Sequence, residues 1–125
     1  MTQTKKILFV EDQEDIQAVA RIALETVGGF TVEICSNGSL ALTRALEFKP
    51  DLLLLDVMMP GMDGPETLKK LRELKQTADT PVIFMTAKVQ QNEVESLMKL
   101  GARGVISKPF DPMKLADSIR EILEE

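Results

Sequence analysis

Leu52-Leu53-Leu54-Leu55-Asp56 is an uninterrupted apolar run that ends in a single acid. Four leucines with no polar alternation fit a strand covered on both faces, the condition of a parallel sheet packed between helices. Ile7-Leu8-Phe9-Val10 before it and Val82-Ile83-Phe84-Met85 after it have the same character, and a shorter run, Gly104-Val105-Ile106, follows. Thr31-Val32-Glu33-Ile34-Cys35 differs, because Val32 and Ile34 alternate with Glu33 as in an edge strand with one wet face.

Helical spacing fills the intervals. Ile16, Val19, Ala20, Ala23, Leu24 and Val27 make one apolar stripe, which Gly28-Gly29 ends. Leu42, Ala45 and Leu46 mark a second helix, and Leu68, Leu71 and Leu74 a third that opens at Pro65. Val94, Leu97 and Met98 mark a fourth, ending at Gly101. The last is expected to have Asp111 as cap and Pro112 as first residue, with Leu115, Ala116, Ile119, Ile122 and Leu123 on its buried face. Strand and helix alternate five times, which argues for an α/β fold: a doubly wound parallel sheet with right-handed crossovers. In such a sheet, ligands bind beyond the carboxyl ends of the strands.

A chain of 125 residues is long enough for one domain, 1–125, with its own core. Its 44% hydrophobic and 28% charged residues place it among globular proteins. No apolar stretch approaches the roughly 20 residues of a membrane-spanning helix, so a cytoplasmic location without membrane insertion is expected. Cys35 is the single cysteine and histidine is absent, which excludes an internal disulfide and an ordinary zinc site. Any metal must therefore be bound through oxygen. The net charge of −5 and the lack of basic clusters beyond Lys5-Lys6 and Lys69-Lys70 argue against a direct nucleic-acid partner.

The ends of the apolar runs share one kind of chemistry. Glu11-Asp12 follow the first, Asp56 closes the leucine run, Thr86 follows Met85, and Lys108 follows Ile106-Ser107. Singly, acids favour loop starts and helix caps; together these residues put three carboxylates, a hydroxyl and an ammonium on one sheet edge. Two unit charges about 4 Å apart repel by roughly 4 kcal/mol at an effective dielectric near 20, so clustered carboxylates need a cation or raised pKa values. Mg²⁺ suits such ligands, with Mn²⁺ as an alternative. A carboxylate can also take a phosphoryl group, whose oxygens Lys108 and Thr86 could receive as donors.

Glu11-Asp12, the stretch Leu54-Leu55-Asp56-Val57-Met58-Met59-Pro60-Gly61-Met62-Asp63-Gly64, the pair Thr86-Ala87, and Lys108-Pro109-Phe110 together resemble the response-regulator receiver family of two-component signalling. The CheY-like proteins are its single-domain members, and the resemblance covers nearly the whole chain. It implies a flavodoxin-like (βα)5 fold with strand order 2-1-3-4-5. Asp56 would be the phosphoacceptor; Glu11, Asp12, Asp56 and the backbone carbonyl of Met58 would hold Mg²⁺. Thr86 and Lys108 would contact the phosphoryl group, with Ala87, Lys88, Val105 and Pro109 as switch or modulating positions and a cis bond between Lys108 and Pro109. The implied donor is a sensor histidine kinase or a histidine phosphotransfer protein. The implied target docks on the face made by helix four, strand five and helix five of a monomer or weak dimer. Such a protein catalyses only its own phosphorylation and dephosphorylation and is not a turnover enzyme.

Three departures from the family's usual pattern matter. Glu11 stands where aspartate is commoner, and Val105 where many members carry an aromatic ring that swings inward, a motion denied to a stiff β-branched side chain. Met58 and Lys88 flank the path of water to the acyl phosphate, and slow self-dephosphorylation is expected from them. Asp63 is expected to serve the turn into helix three, and most of the seven methionines to fill the core. Two other readings stand beside the switch: an idle receiver fold that acts only by binding, and a receiver excised from a larger regulator. A haloacid-dehalogenase-type phosphatase is excluded, because Met58 occupies the place of its second acid.

Overall fold

In the computed structural model, which describes residues 3–125, the leucine run forms a strand buried along its whole length. The elements are β1 (Lys6–Val10), α1 (Glu14–Arg21), β2 (Thr31–Cys35), α2 (Gly38–Phe48), β3 (Leu52–Asp56), α3 (Gly64–Arg72), β4 (Val82–Thr86), α4 (Gln91–Lys99), β5 (Gly104–Ser107) and α5 (Leu115–Leu123). All strand pairs are parallel and the sheet order is β2-β1-β3-β4-β5, the flavodoxin-like arrangement.

Side chains alternate across each strand, so the central runs feed two separate cores. Ile7, Phe9, Leu52, Leu54, Ile83 and Met85 pack beneath α1 and α5 against Ala20, Ala23, Leu24, Leu115 and Ile119. Leu8, Val10, Leu53, Leu55, Val82 and Phe84 pack beneath α2, α3 and α4 against Ala41, Ala45, Leu68, Leu71 and Leu97. Both faces of β1, β3 and β4 are thus apolar, and the polar residues of these strands are left to their ends. In β2, Val32 is buried and Ile34 half-buried in the first core, while Glu33 pairs with Arg44 at 3.5 Å.

Four helices differ, in three ways, from the pattern of the sequence. After Arg21 the first widens into a π-helical stretch, Ile22–Val27, where Gly28 N donates to Ala23 O five residues back at 3.1 Å. The wider turn rotates the following residues relative to a 3.6-residue stripe. Ala20, Ala23 and Leu24 stay buried and Val27 turns out to 42% exposure, while Val19, ahead of the wide turn, is also 42% exposed. Leu46 of α2 and Met98 of α4 also face solvent, because Ala45 and Leu97 alone carry the contact at those turns.

The third difference is that α5 begins at Leu115 rather than Pro112. Asp111 accepts from Met113 N through its side chain at 2.9 Å and from Lys114 N through its carbonyl at 3.0 Å. These two bonds close a separate turn ahead of the helix. Among the described residues, no helix is long and apolar enough to cross a membrane.

Candidate functional site

The ladder of the sheet continues one residue beyond its strands and so fixes the backbone at the site. Glu11 N donates to Cys35 O at 3.0 Å, Val57 N to Met85 O at 3.0 Å, and Lys108 N to Thr86 O at 2.9 Å. Asp56 is the last residue of β3 and Thr86 the last of β4, where Thr86 lies opposite Ser107.

The carboxylates of Glu11, Asp12 and Asp56 come together, each offering an oxygen within 4.8 Å of the others. Lys108 Nζ lies 2.9 Å from Glu11 Oε1 and 3.2 Å from Asp56 Oδ1. Glu11 is fully buried and also accepts from Gln13 N through Oε2 at 3.1 Å. Gln17 Nε2 donates to the Glu11 carbonyl at 2.5 Å, tying the turn after β1 to α1.

Burial pushes both Glu11 and Asp56 above the ordinary carboxylate range; contact with Lys108 opposes the rise without cancelling it. For Lys108, burial pulls the ammonium down, but the hydrogen bond it donates to Glu11 and the charges of Asp56 and Glu11 more than offset this and hold it above its usual value. When all are ionised, three carboxylates face one ammonium, leaving two uncompensated negative charges among two buried groups and a half-buried one. A divalent, oxygen-seeking cation fits that deficit and that donor set. Cys35 offers no competing nucleophile, because burial raises its thiol to about 11.

The loop from Asp56 to α3 is closed by glycine. Gly64 N donates to Val57 O at 2.9 Å, and a Cβ on Gly64 would overlap the Asp56 carbonyl oxygen and approach Val57 Cα to 3.0 Å. Asp63 caps α3, accepting from Glu66 N at 2.9 Å, which is the structural role its sequence position indicated. Gly64→Ala is expected to lower stability by about 2 kcal/mol, because the obstacle is backbone and cannot rotate away. A urea titration checks this, and an unchanged midpoint would contradict the packing described.

The other residues singled out in the sequence are distributed unevenly. Thr86 is buried, and its Oγ1 accepts from Lys88 N at 3.0 Å. The Met58 side chain is 64% exposed at the rim, where Val57, Met58, Thr86, Lys88, Glu93, Ser96 and Leu97 surround a cavity of ≈280 Å³. Ala87, Lys108, Pro109 and Phe110 face Asp15, Ile16 and Val19 across a groove of ≈410 Å³. The Lys108–Pro109 bond is cis, as the resemblance implied. Val105 lies opposite Phe84, two residues short of the end of β5, and packs into the core beneath α4 rather than at the carboxylates. Glu93, in the first turn of α4, was not singled out by sequence reasoning, although its position there was available as a signal.

Residues 7–120 match the sequence profile of the response regulator receiver domain. The chain belongs to the response-regulator receiver family. Among curated relatives, this receiver is 39% identical to the alkaline phosphatase synthesis transcriptional regulatory protein PhoP of Bacillus subtilis, over 95% of this chain and 48% of that protein. It is 34% identical to the DNA-binding response regulator MtrA of Mycolicibacterium smegmatis, over 95% of this chain and 50% of that protein. The receiver thus spans about half the length of the curated relatives it matches. Among solved structures, the chemotaxis protein CheY4 of Vibrio cholerae superposes with a TM-score of 0.87 at 29% identity, covering 96% of this receiver and 99% of that chain. As a receiver of two-component response regulators, the domain serves signalling rather than turnover of an external substrate. Its acidic group of Glu11, Asp12 and Asp56 could hold a metal.

Proposed function

We propose that residues 1–125 act as one receiver domain whose Asp56 accepts a phosphoryl group from a phosphohistidine protein. The observation that carries this reading is the Lys108 ammonium bridging Glu11 and Asp56 beside Asp12. An Asp56 oxygen attacks phosphorus, the P–N bond to the donor imidazole breaks, and the nitrogen leaves with the bonding pair and takes a proton. Glu11, Asp12, Asp56 and the Met58 carbonyl would hold Mg²⁺, or Mn²⁺ in its place, which supplies positive charge to the phosphoryl oxygens when bound. Lys108 and the Thr86 hydroxyl donate to the same oxygens.

Once Thr86 turns toward the phosphoryl group, the segment after it, with Ala87 and Lys88, has to rearrange, because Thr86 Oγ1 holds Lys88 N at rest. A target protein then reads the face of α4, β5 and α5. Val105 contributes as a fixed apolar contact there, and Pro109 shapes the turn that presents Lys108. The donor is a sensor histidine kinase or a histidine phosphotransfer protein, and the domain works in the cytoplasm as a monomer or weak dimer.

The matched length favours a second form of the same reading. Because the curated relatives are about twice as long and are named as transcriptional or DNA-binding regulators, this receiver works joined to such an output unit. DNA contact would belong to that unit, in keeping with the acidic balance of the receiver itself.

Incubation with acetyl phosphate and Mg²⁺, followed by intact-mass measurement, tests the proposal. A gain of one phosphoryl group is expected; its absence leaves the idle, binding-only module. Met58, bulky and without a hydrogen-bond donor, stands at the rim with Lys88, so the phosphorylated protein is expected to decay slowly once the donor is removed. Decay within a few seconds in Mg²⁺ would contradict that expectation.

A further inference from the structure

Two polar groups at the end of β4 differ in whether they are satisfied. Lys88 N has an acceptor, Thr86 Oγ1 at 3.0 Å. Glu93 Oε2 is buried and has no partner, and it is the one side-chain atom in that condition among the described residues. Thr86, Lys88 and Glu93 line the same cavity of ≈280 Å³ between the end of β3 and α4. Lys88 and Glu93 also border a second space of ≈380 Å³ with Ala87, Val89 and Gln90. The loop connecting β4 to α4 is thus bounded on one side by the hydroxyl that holds it and on the other by an acceptor that is idle.

A buried carboxylate oxygen without a donor costs free energy, and its retention calls for a state that satisfies it. Glu93 is the third residue of α4, the position from which a glutamate side chain reaches back toward the N-cap N–H, here that of Gln90, two residues past Lys88.

We infer that Glu93 is a positioning residue for the switch: its carboxylate takes over the Lys88 N–H when Thr86 turns toward a phosphoryl group on Asp56. This rests on the role proposed above for Thr86. At rest the unsatisfied group is Glu93 Oε2. In the turned state without Glu93, Lys88 N loses its protein acceptor, and with Glu93 both groups are paired. Glu93 therefore lowers the free energy of the turned state relative to the resting one, and phosphoryl binding at Asp56 becomes tighter through a residue that never touches the phosphoryl group.

The test uses the full chain with Mg²⁺ and beryllofluoride as a phosphoryl mimic, read by backbone amide NMR. Glu93→Ala is expected to weaken beryllofluoride binding about tenfold and to speed exchange of the Lys88 amide in the bound state by a similar factor. Glu93→Gln keeps an acceptor oxygen and is expected to lie between Glu93→Ala and the wild type in both readouts. Unchanged protection of the β3 and β4 amides shows that the variants remain folded. Glu93→Ala equal to wild type in affinity and in Lys88 exchange would overturn the inference while leaving the Asp56 switch intact. Glu93→Gln falling as far as Glu93→Ala would overturn it too, since the effect would then come from charge beside the Lys88 ammonium. Wild-type protein that takes up no beryllofluoride overturns both the switch and this inference.

Discussion

Asp56→Asn is expected to gain no mass from acetyl phosphate in Mg²⁺, while its metal-free fold becomes more stable than the wild type. The first effect follows from removing the proposed acceptor oxygen. The second follows from electrostatics: burial raises the Asp56 carboxyl above its ordinary range, so the folded state binds its proton more tightly than the unfolded state does. A raised acid contributes most stability at low pH and loses that contribution as pH rises through its folded value, so at neutral pH the ionised form is a liability. A neutral amide of the same size removes the liability at the loss of one contact to Lys108.

A gain of about 1 kcal/mol, or about 4 °C in melting temperature, is expected for metal-free protein at neutral pH. Mg²⁺ reverses the order. A cation at about 100 times its dissociation constant stabilises the fold that binds it by roughly 2.7 kcal/mol, and the variant has lost one of the proposed ligands. Thermal melts with and without Mg²⁺ measure both effects. An Asn variant that is less stable than the wild type without metal, or that still takes up a phosphoryl group, would refute the account.

Lys108→Ala is expected to act in the opposite direction and more strongly. Among the described residues, Lys108 is the one cation within ion-pair distance of Glu11 and Asp56, and Glu11 has no exposure to water. Removing one partner of a buried pair leaves the other uncompensated, a loss of about 3 kcal/mol. The Lys108 ammonium, held above its usual value, keeps its contribution through neutral pH and loses it only as pH rises through that raised value.

In the variant the loss is pH-dependent. Glu11 and Asp56, both raised, take up protons in the folded state before they do so unfolded, and each proton removes an unpaired charge. Urea titrations near neutral pH and at about pH 5 are expected to show a smaller deficit in acid. An equal deficit at both would mean that Lys108 acts by packing its stem rather than by charge.

Much of this molecule was legible before its coordinates, because apolar runs determine a doubly wound sheet almost without help from context. The uninterrupted leucines of β3, and the similar runs of β1 and β4, could only be covered on both faces, and the strand-end acids then had to share an edge. What was not legible depended on local competition among backbone hydrogen bonds. The stripe running on to Val27 assumed a constant 3.6-residue turn and broke down where the helix widened at Ile22, whereas Val19, ahead of that point, borders the groove toward Pro109 and Phe110. Asp111 and Pro112 carry the marks of a helix start, yet the bonds from Met113 N and Lys114 N to Asp111 close a turn first.

At the site, the sequence identified Glu11, Asp12, Asp56, Thr86 and Lys108 as an edge cluster but did not indicate that Glu11 and Lys108 pair with each other at 2.9 Å. That contact spans 97 residues of chain and depends on how far two long side chains lean across the sheet edge. Glu93 was missed because, although its place in the first turn of α4 could be read, that its carboxylate lacks a partner is defined only by its surroundings.

Lys108 starts beyond the tip of β5, and its amine ends beside groups carried by β1 and β3, having passed over the end of β4. It works as a tie-rod across four of the five strands. The hydrogens it now gives to Glu11 and Asp56 are the ones an incoming phosphoryl group would require. On the function proposed above, arrival of that group would loosen one side of the brace as it tightens the other.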